Sequence, residues 1–283
     1  GHSQLDVAWL WTAKETGQKA ARTQSTVLRL MEQFADCKYT QSQALLYDIT
    51  RLSHPDLFNQ IKQRILEGRW EAVSPLWVEQ DCNIPCGESL VRNILYGKRY
   101  FKNELGTDST IAWLPDSFGF SWSLPQILTK SGLTSFFSAK LLLNDTTTFP
   151  YSTFWWQGID GSRIFSHIPP VGLDGDLNPE GLGRSWEEFH EKETSPVVLQ
   201  TFGYANEGGG ITAEQIESAS VVKNLTGLPS SQPSSAREFF AQARQQVENL
   251  PSWNNELYLE RHRGIYTTQG WIKKENRECE HLL

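Results

Sequence analysis

His2, Gln4, Asp6 and Trp9 fall within the eleven residues GHSQLDVAWLW at 1–11, and imidazole, amide, carboxylate and indole groups at this density point to a site for a metal, a sugar or both. In an extended segment alternate residues share a face, so His2, Gln4 and Asp6 would lie on one side. Histidine nitrogen and aspartate oxygen are zinc donors, and an indole offers an apolar face to a ring. A second candidate is Asp116 in WLPDSFGFSWSLPQIL, a carboxylate flanked by Trp113 and Trp122. Such a carboxylate suits a glycosidase nucleophile, yet Asp is also a favoured cap for the helix leading into SLPQIL; spacing does not choose between the two. Two further loops carry polar groups: Glu79-Gln80-Asp81 after WEAVSPLWV, and Asn206-Glu207-Gly208-Gly209-Gly210 after VVLQTFGY.

Strands and helices must bring these segments together. ARTQSTVLRLMEQF has a helical stripe of Val27, Leu28, Leu30, Met31 and Phe34, and CKYTQSQA reads as a short strand. Residues 55–66 form a helix with Pro55 at its start and Gly68 just past its end. WEAVSPLWV is the next strand, GESLVRNILYGKRYFKNELG an amphipathic helix closed by Gly106, and TIAWLPD another strand. Alternation of strand and crossover helix predicts a parallel sheet or barrel with its site at the carboxyl ends of the strands. The Gly-, Asp- and Pro-rich stretch 170–184 is expected to be a loop over a cleft, and LPSSQPSSA a turn into the helix AREFFAQARQQVENL.

Composition narrows the partners. The net charge of the 283-residue chain is −7 with no basic block, which argues against nucleic acid. No apolar run approaches the roughly 18 to 20 residues that span a bilayer. Eleven Trp are several times what a chain of this size usually carries; aromatic faces stack on sugar rings or bases, and most of the Trp are expected in the core. The cysteines at 37, 82, 86 and 279 lack the spacing of a zinc knuckle and read as free thiols in a reducing, cytoplasmic setting.

Read in order, GHSQLDVAWLW, GRWEAVSPLWVEQDCNIPCGESLVRNILYGKRYF, WLPDSFGFSWSLPQIL, FPYSTFWWQGIDGSRI and ELYLERHRGIYTTQG resemble the catalytic domain of the retaining α-mannosidases of glycoside hydrolase family 38, in the branch of bacterial and cytosolic enzymes. The resemblance implies an α/β fold, an incomplete seven-stranded parallel β/α barrel of the glycoside hydrolase/deacetylase type. Residues 1–270 would be the catalytic domain, with a first strand ahead of Gly1, and 271–283 the start of a helical domain. The chain therefore reads as a fragment.

The resemblance also implies one zinc ion per chain, held by the second His and the Asp of H-x-H-x-D, the catalytic Asp and a later His. Asp6 and Asp116 match as ligands, Gln4 stands in place of the ligand His, and His2 is a candidate substitute. The later His would lie beyond Leu283. Gln oxygen is a poor zinc donor and suits a Ca²⁺-like ion better. Asp116 would be the nucleophile and Trp9 the floor under the mannose ring. Asn206 takes the family's acid-region position, which makes Glu207 the candidate acid/base, with a separation of about 5 to 5.5 Å required between the two carboxyls. Tyr258 and Arg263 would bind sugar hydroxyls, in a block that includes Glu256 and His262, while Glu79 and Asp81 lie near the cleft. Expected partners are mannose-containing oligosaccharides, with no nucleic acid and no membrane; a homo-oligomer of the full-length protein stays open. The alternative function is a degenerate homologue that binds mannosides without cleaving them.

Overall fold

A reciprocal cap opens the first helix: the Thr12 hydroxyl accepts from Glu15 N while the Glu15 carboxylate accepts from Thr12 N at 2.7 Å. The computed structural model describes residues 1–204, 208–245 and 249–282. Helix α1 (Ala13–Gln33) starts about two turns before the segment ARTQSTVLRLMEQF and buries Val27, Leu28, Leu30 and Met31. It leads to β1 (Tyr39–Gln41), then to α2 (Ala44–Ser53) and α3 (Pro55–Leu66), the latter with Pro55 in its first turn. Strand β2 (Trp70–Ala72) pairs in parallel with β1. Helix α4 (Gly87–Tyr100) widens into a π-helical turn over Phe101–Leu105, and Gly106 ends it in the left-handed conformation at φ 67°.

The remaining strands form one sheet. β3 (Ile111–Trp113) is followed by α5 (Leu124–Lys130), β4 (Ser135–Phe137), β5 (Thr153–Gln157) and β6 (Arg163–His167). After α6 (Pro179–Glu187), α7 (Ala213–Val221) and α8 (Ala236–Gln245) comes β7 (Ser252–Trp253), and α9 (Gly270–Leu282) closes the described chain. The order is β3-β4-β6-β5-β7, and β5 and β6 are antiparallel while the other neighbours run parallel.

The fold is thus α/β with a mixed sheet, and among the described residues it differs from the expected seven-stranded parallel barrel in two places. The turn between β5 and β6 is too short for a crossover: Gly161 takes φ 83° and Asp160 Oδ1 accepts from Ser162 N at 3.0 Å, so the pair must be antiparallel. Between β2 and β3 the ladder is interrupted. Ser74 sits at φ 56° and Pro75 lacks an N–H, so β2 stops at Ala72, and Trp113 N donates to the Ser74 hydroxyl at 3.0 Å instead of to a strand carbonyl. Among the described residues VVLQTFGY likewise joins neither sheet; it meets its neighbours through isolated contacts such as His2 N to Phe202 O at 2.9 Å and the two-bond bridge of Tyr204 with Gly210.

The stretch 170–184 is not wholly a loop. Asn178 caps α6 by accepting from Gly181 N, with Pro179 in the first turn. Residues before it are pinned by Leu173 O, which accepts from Thr201 Oγ1 at 2.8 Å. At the other end, Glu280 of α9 accepts from Cys86 N at 2.7 Å and Ser89 Oγ at 2.8 Å, so α9 is fastened to the start of α4. No helix among the described residues is long and apolar enough to cross a membrane.

The core lies between the sheets and their helices. Phe136, Phe154, Trp156 and Ile164 fill one cluster, and Tyr39, Tyr47, Trp70 and Phe101 fill another between β1, β2 and the helices over them. Two imidazoles are part of this interior. Burial lowers His167 to about 3 and His2 to about 4, against an ordinary 6.5. Both are therefore neutral in the fold, and the unfolded chain takes up protons first as pH falls through 6.5. The free energy of urea unfolding should lose stability from pH 6.5 towards 4 on their account. In His167→Gln, which keeps a partner for the Thr153 hydroxyl, this acid loss should shrink; an unchanged slope would contradict the assignment.

Candidate active site

Trp113 of β3 is the direct partner of Phe137 of β4, and the two rings stack at 3.8 Å. Three residues beyond each lies a charged group: Asp116 after β3 and Lys140 after β4. Parallel strands deliver both to the same edge, and the Lys140 ammonium makes an ion pair with Asp116 Oδ1. Leu114 N still bonds Phe137 O at 2.9 Å, and Pro115, without a donor, ends the ladder just before Asp116. Lys140 is 10% exposed and Asp116 20% exposed. The ammonium also lies 5.4 Å from the centre of the Phe118 ring.

Asp116 does not cap a helix. The following helix, α5, begins at Leu124 with Ser123 before it. The Asp116 N–H donates instead to Glu79 Oε1 at 2.6 Å, and Ser117 Oγ donates to the same oxygen at 3.2 Å. Glu79 Oε2 is buried without a partner. Burial, with the Asp116 carboxylate beside it, pushes Glu79 up to about 8. Gln43, at φ 70°, ties this loop to the opening segment: its amide donates to Leu5 O at 2.8 Å and accepts from Glu79 N at 3.0 Å.

In that opening segment, Gln4 donates from Nε2 to Asp6 Oδ1 at 2.9 Å, and Gln4 Oε1 is buried without a partner. Burial raises Asp6 above the usual carboxylate range; the Gln4 amide opposes this, the Asp116 carboxylate adds to it and Lys140 counters. Asp6, Asp116 and Lys140 therefore share one electrostatic environment. His2 does not: it is buried, bridged to Thr40, and its Nε2 lies 3.0 Å from Leu173 O. Gly203, at φ 124°, lets the neighbouring chain pass His2 O, which a Cβ there would meet at 2.2 Å. Trp9 is 57% exposed and packs edge-on to Trp11.

The loop after β7 reaches the same edge. Phe120 and Leu257 exchange backbone bonds of 2.8 and 3.0 Å, and Tyr266 OH donates to Phe118 O at 2.9 Å. Arg263 stacks 5.3 Å over the exposed Tyr258 ring, and His262 lies 5.4 Å from Phe118. Burial lowers His262, helped by Lys140 and opposed by Asp116. Asp81 caps its own turn by accepting from Asn83 N at 2.7 Å. Asn206 and Glu207 lie outside the described residues; the residues flanking them pair through Tyr204 and Gly210, and Gly208 packs on Leu5. Lys140 and Gln43 are the groups that motif reading passed over.

Zinc calls for four ligands drawn from imidazole, thiolate and carboxylate. Among the described residues no group of three or more His, Cys, Asp or Glu is arranged to hold a metal ion. Asp116 is paired with an ammonium, Asp6 faces an amide N–H, and the His2 imidazole is bonded to Leu173 O. This donor set does not fit zinc, and Gln4 presents nitrogen where a Ca²⁺-like ion would need oxygen.

The chain is 38% identical over 283 residues to alpha-mannosidase G of Dictyostelium discoideum, covering 99% of this chain and 26% of that protein. It is 38% identical to human alpha-mannosidase 2C1, covering all of this chain and 27% of the relative. The chain thus spans about a quarter of the length of these curated relatives. Its fold resembles the crystal structure of an alpha-mannosidase from Enterococcus faecalis V583 with a TM-score of 0.78 at 18% identity, over 91% of this chain and 30% of that one. The glycosyl hydrolases family 38 N-terminal domain matches residues 1–256, and the chain belongs to that family.

Proposed function

We propose that the chain carries the catalytic part of a retaining α-mannosidase, with Asp116 as the nucleophile towards a terminal α-linked mannose. The observation that carries this is the placement of the Asp116 carboxylate at the end of β3: it caps no helix, stays partly exposed and is held by the Lys140 ammonium through one oxygen. A carboxylate oxygen of Asp116 attacks the anomeric carbon as the glycosidic C–O bond breaks and the leaving oxygen takes a proton. Water then cleaves the glycosyl ester and the α configuration is restored. Lys140 orients the attacking group by holding one of its oxygens. The exposed indole of Trp9 is the floor for the ring, and Tyr258 and Arg263 bind hydroxyls. Glu207 is the acid/base, in a loop whose flank packs beside the Asp6 segment.

The substrate class, mannose-containing oligosaccharides, is taken from the names of the relatives at 38% identity. The four free thiols support a cytoplasmic setting. On the same reading the two sheets are arcs of one incomplete barrel joined at Ser74 and Trp113, residues 1–270 are the catalytic domain and α9 opens the helical one. A second reading, mannoside binding without cleavage, is favoured by one observation, the engagement of Asp116 by Lys140.

The test is incubation with an aryl α-mannoside, with aryl release and the first-formed sugar anomer followed by proton NMR. Release of α-mannose is expected. First-formed β-mannose would contradict retention, and saturable binding without release would leave the second reading.

A further inference from the structure

We infer that the positive charge around which this site is built is the Lys140 ammonium, and that the chain engages its sugar without a divalent metal. The inference rests on Asp116 being the sugar-facing carboxylate. Two carboxylates that share a partly buried site repel each other and need a counter-charge. Here that charge is supplied by a side chain fixed at both ends. Its backbone follows β4 in register with β3, and its ammonium is held by Asp116 on one side and the Phe118 ring on the other. Gln4 completes the arrangement by turning an amide N–H, not a lone pair, towards Asp6. An amide donor serves a carboxylate; it repels a cation. His2, the imidazole nearest in sequence, is committed to Leu173 O. A metal entering here would have to break the ammonium pair and reverse the Gln4 amide, with the His262 ring held edge-on to Phe118.

The ammonium and the metal are therefore competitors for one pair of carboxylates, and this yields a gain-of-binding test. The full chain, stripped with chelator, is dialysed against zinc chloride, and bound zinc is measured by elemental analysis for wild type, Lys140→Arg and Lys140→Met. Wild type and Lys140→Arg should retain no stoichiometric zinc. Lys140→Met, which leaves Asp6 and Asp116 uncompensated, should bind zinc at least about tenfold more tightly than wild type, a difference of about 1.4 kcal/mol. One zinc per wild-type chain would overturn the inference, as would a Lys140→Met variant that is folded by circular dichroism and binds zinc no better. Should that variant not fold, the wild-type result decides, together with Trp fluorescence on titrating methyl α-mannoside with and without chelator. Equal affinity in both conditions supports the inference, and binding abolished by chelator overturns it. Absence of mannoside binding in either condition contradicts the sugar-site reading, and the zinc stoichiometry then still decides the metal question.

Discussion

Asp116→Asn is expected to lower kcat on an aryl α-mannoside by on the order of 10³-fold or more, because the proposed mechanism assigns the covalent intermediate to this carboxylate. KM should change far less, since on the proposed reading Trp9 and the β7 loop, not the attacking oxygen, hold the ring. The fold should survive: the structural contribution of Asp116 is its backbone N–H to Glu79 at 2.6 Å, which Asn retains. The ammonium of Lys140 loses its counter-charge in this variant, but both groups have some access to water, so the cost is set against solvation and stays modest. Activity within a few-fold of wild type would exclude Asp116 as nucleophile, whereas a collapse of the melting temperature would mean that the residue acts through the fold.

The second large effect is on stability and concerns Glu79. Its carboxyl is pushed up to about 8 by burial and by Asp116, against 4.5 when exposed. Between pH 4.5 and 8 the folded chain holds a proton that the unfolded chain has released, so stability falls as pH rises through this window and the loss is complete above 8. Glu79→Gln keeps an oxygen for Asp116 N and Ser117 Oγ but does not titrate. Thermal melts at pH 6 and pH 9 should therefore show the wild type losing up to a few kcal/mol relative to the variant. Superimposable pH profiles would show that the carboxyl is solvated in solution. The sign is opposite to that of His2 and His167, whose losses lie below pH 6.5.

Much of the scaffold was legible because the local rules agree. Residues 55–66 form α3 where Pro55 starts the helix, and Gly106 ends the turn after α4 at a positive φ. The start of α1 was missed because its first two turns are polar and contain Gly17; the reciprocal Thr12 and Glu15 cap was the signal available. Strand lengths were overread. WEAVSPLWV is uniformly apolar enough for a long strand, yet Ser74 and Pro75 stop it after three residues. The β5–β6 link carried a hairpin signal in Asp160-Gly161, and the Asp160 to Ser162 turn makes the pair antiparallel inside a largely parallel sheet.

The site was legible in part. Asp6 is bonded by Gln4 and feels the charges of Asp116 and Lys140, so the two motif blocks meet in one electrostatic environment. Lys140 was not visible: AKLLLND has no charge pattern, and the residue matters only because Trp113 and Phe137 are in register, which sets Asp116 and Lys140 at equal offsets. Gln43 was equally hidden, since a positive φ at a helix start has no signature in a glutamine. His2 shows the converse. Alternation put it on the face of Asp6, but its bridge to Thr40 and the Leu173 carbonyl turn the imidazole into the interior.

The most direct measurement is mass spectrometry of the chain after reaction with an activated fluoro-α-mannoside, a substrate that forms the glycosyl ester faster than water can cleave it. A retaining site at Asp116 predicts an added mass of one fluoro-mannosyl group, found by peptide mapping on the tryptic peptide that contains Asp116 and absent from Asp116→Asn. A label on a different carboxylate, or an unlabelled chain that nonetheless releases mannose, would contradict it.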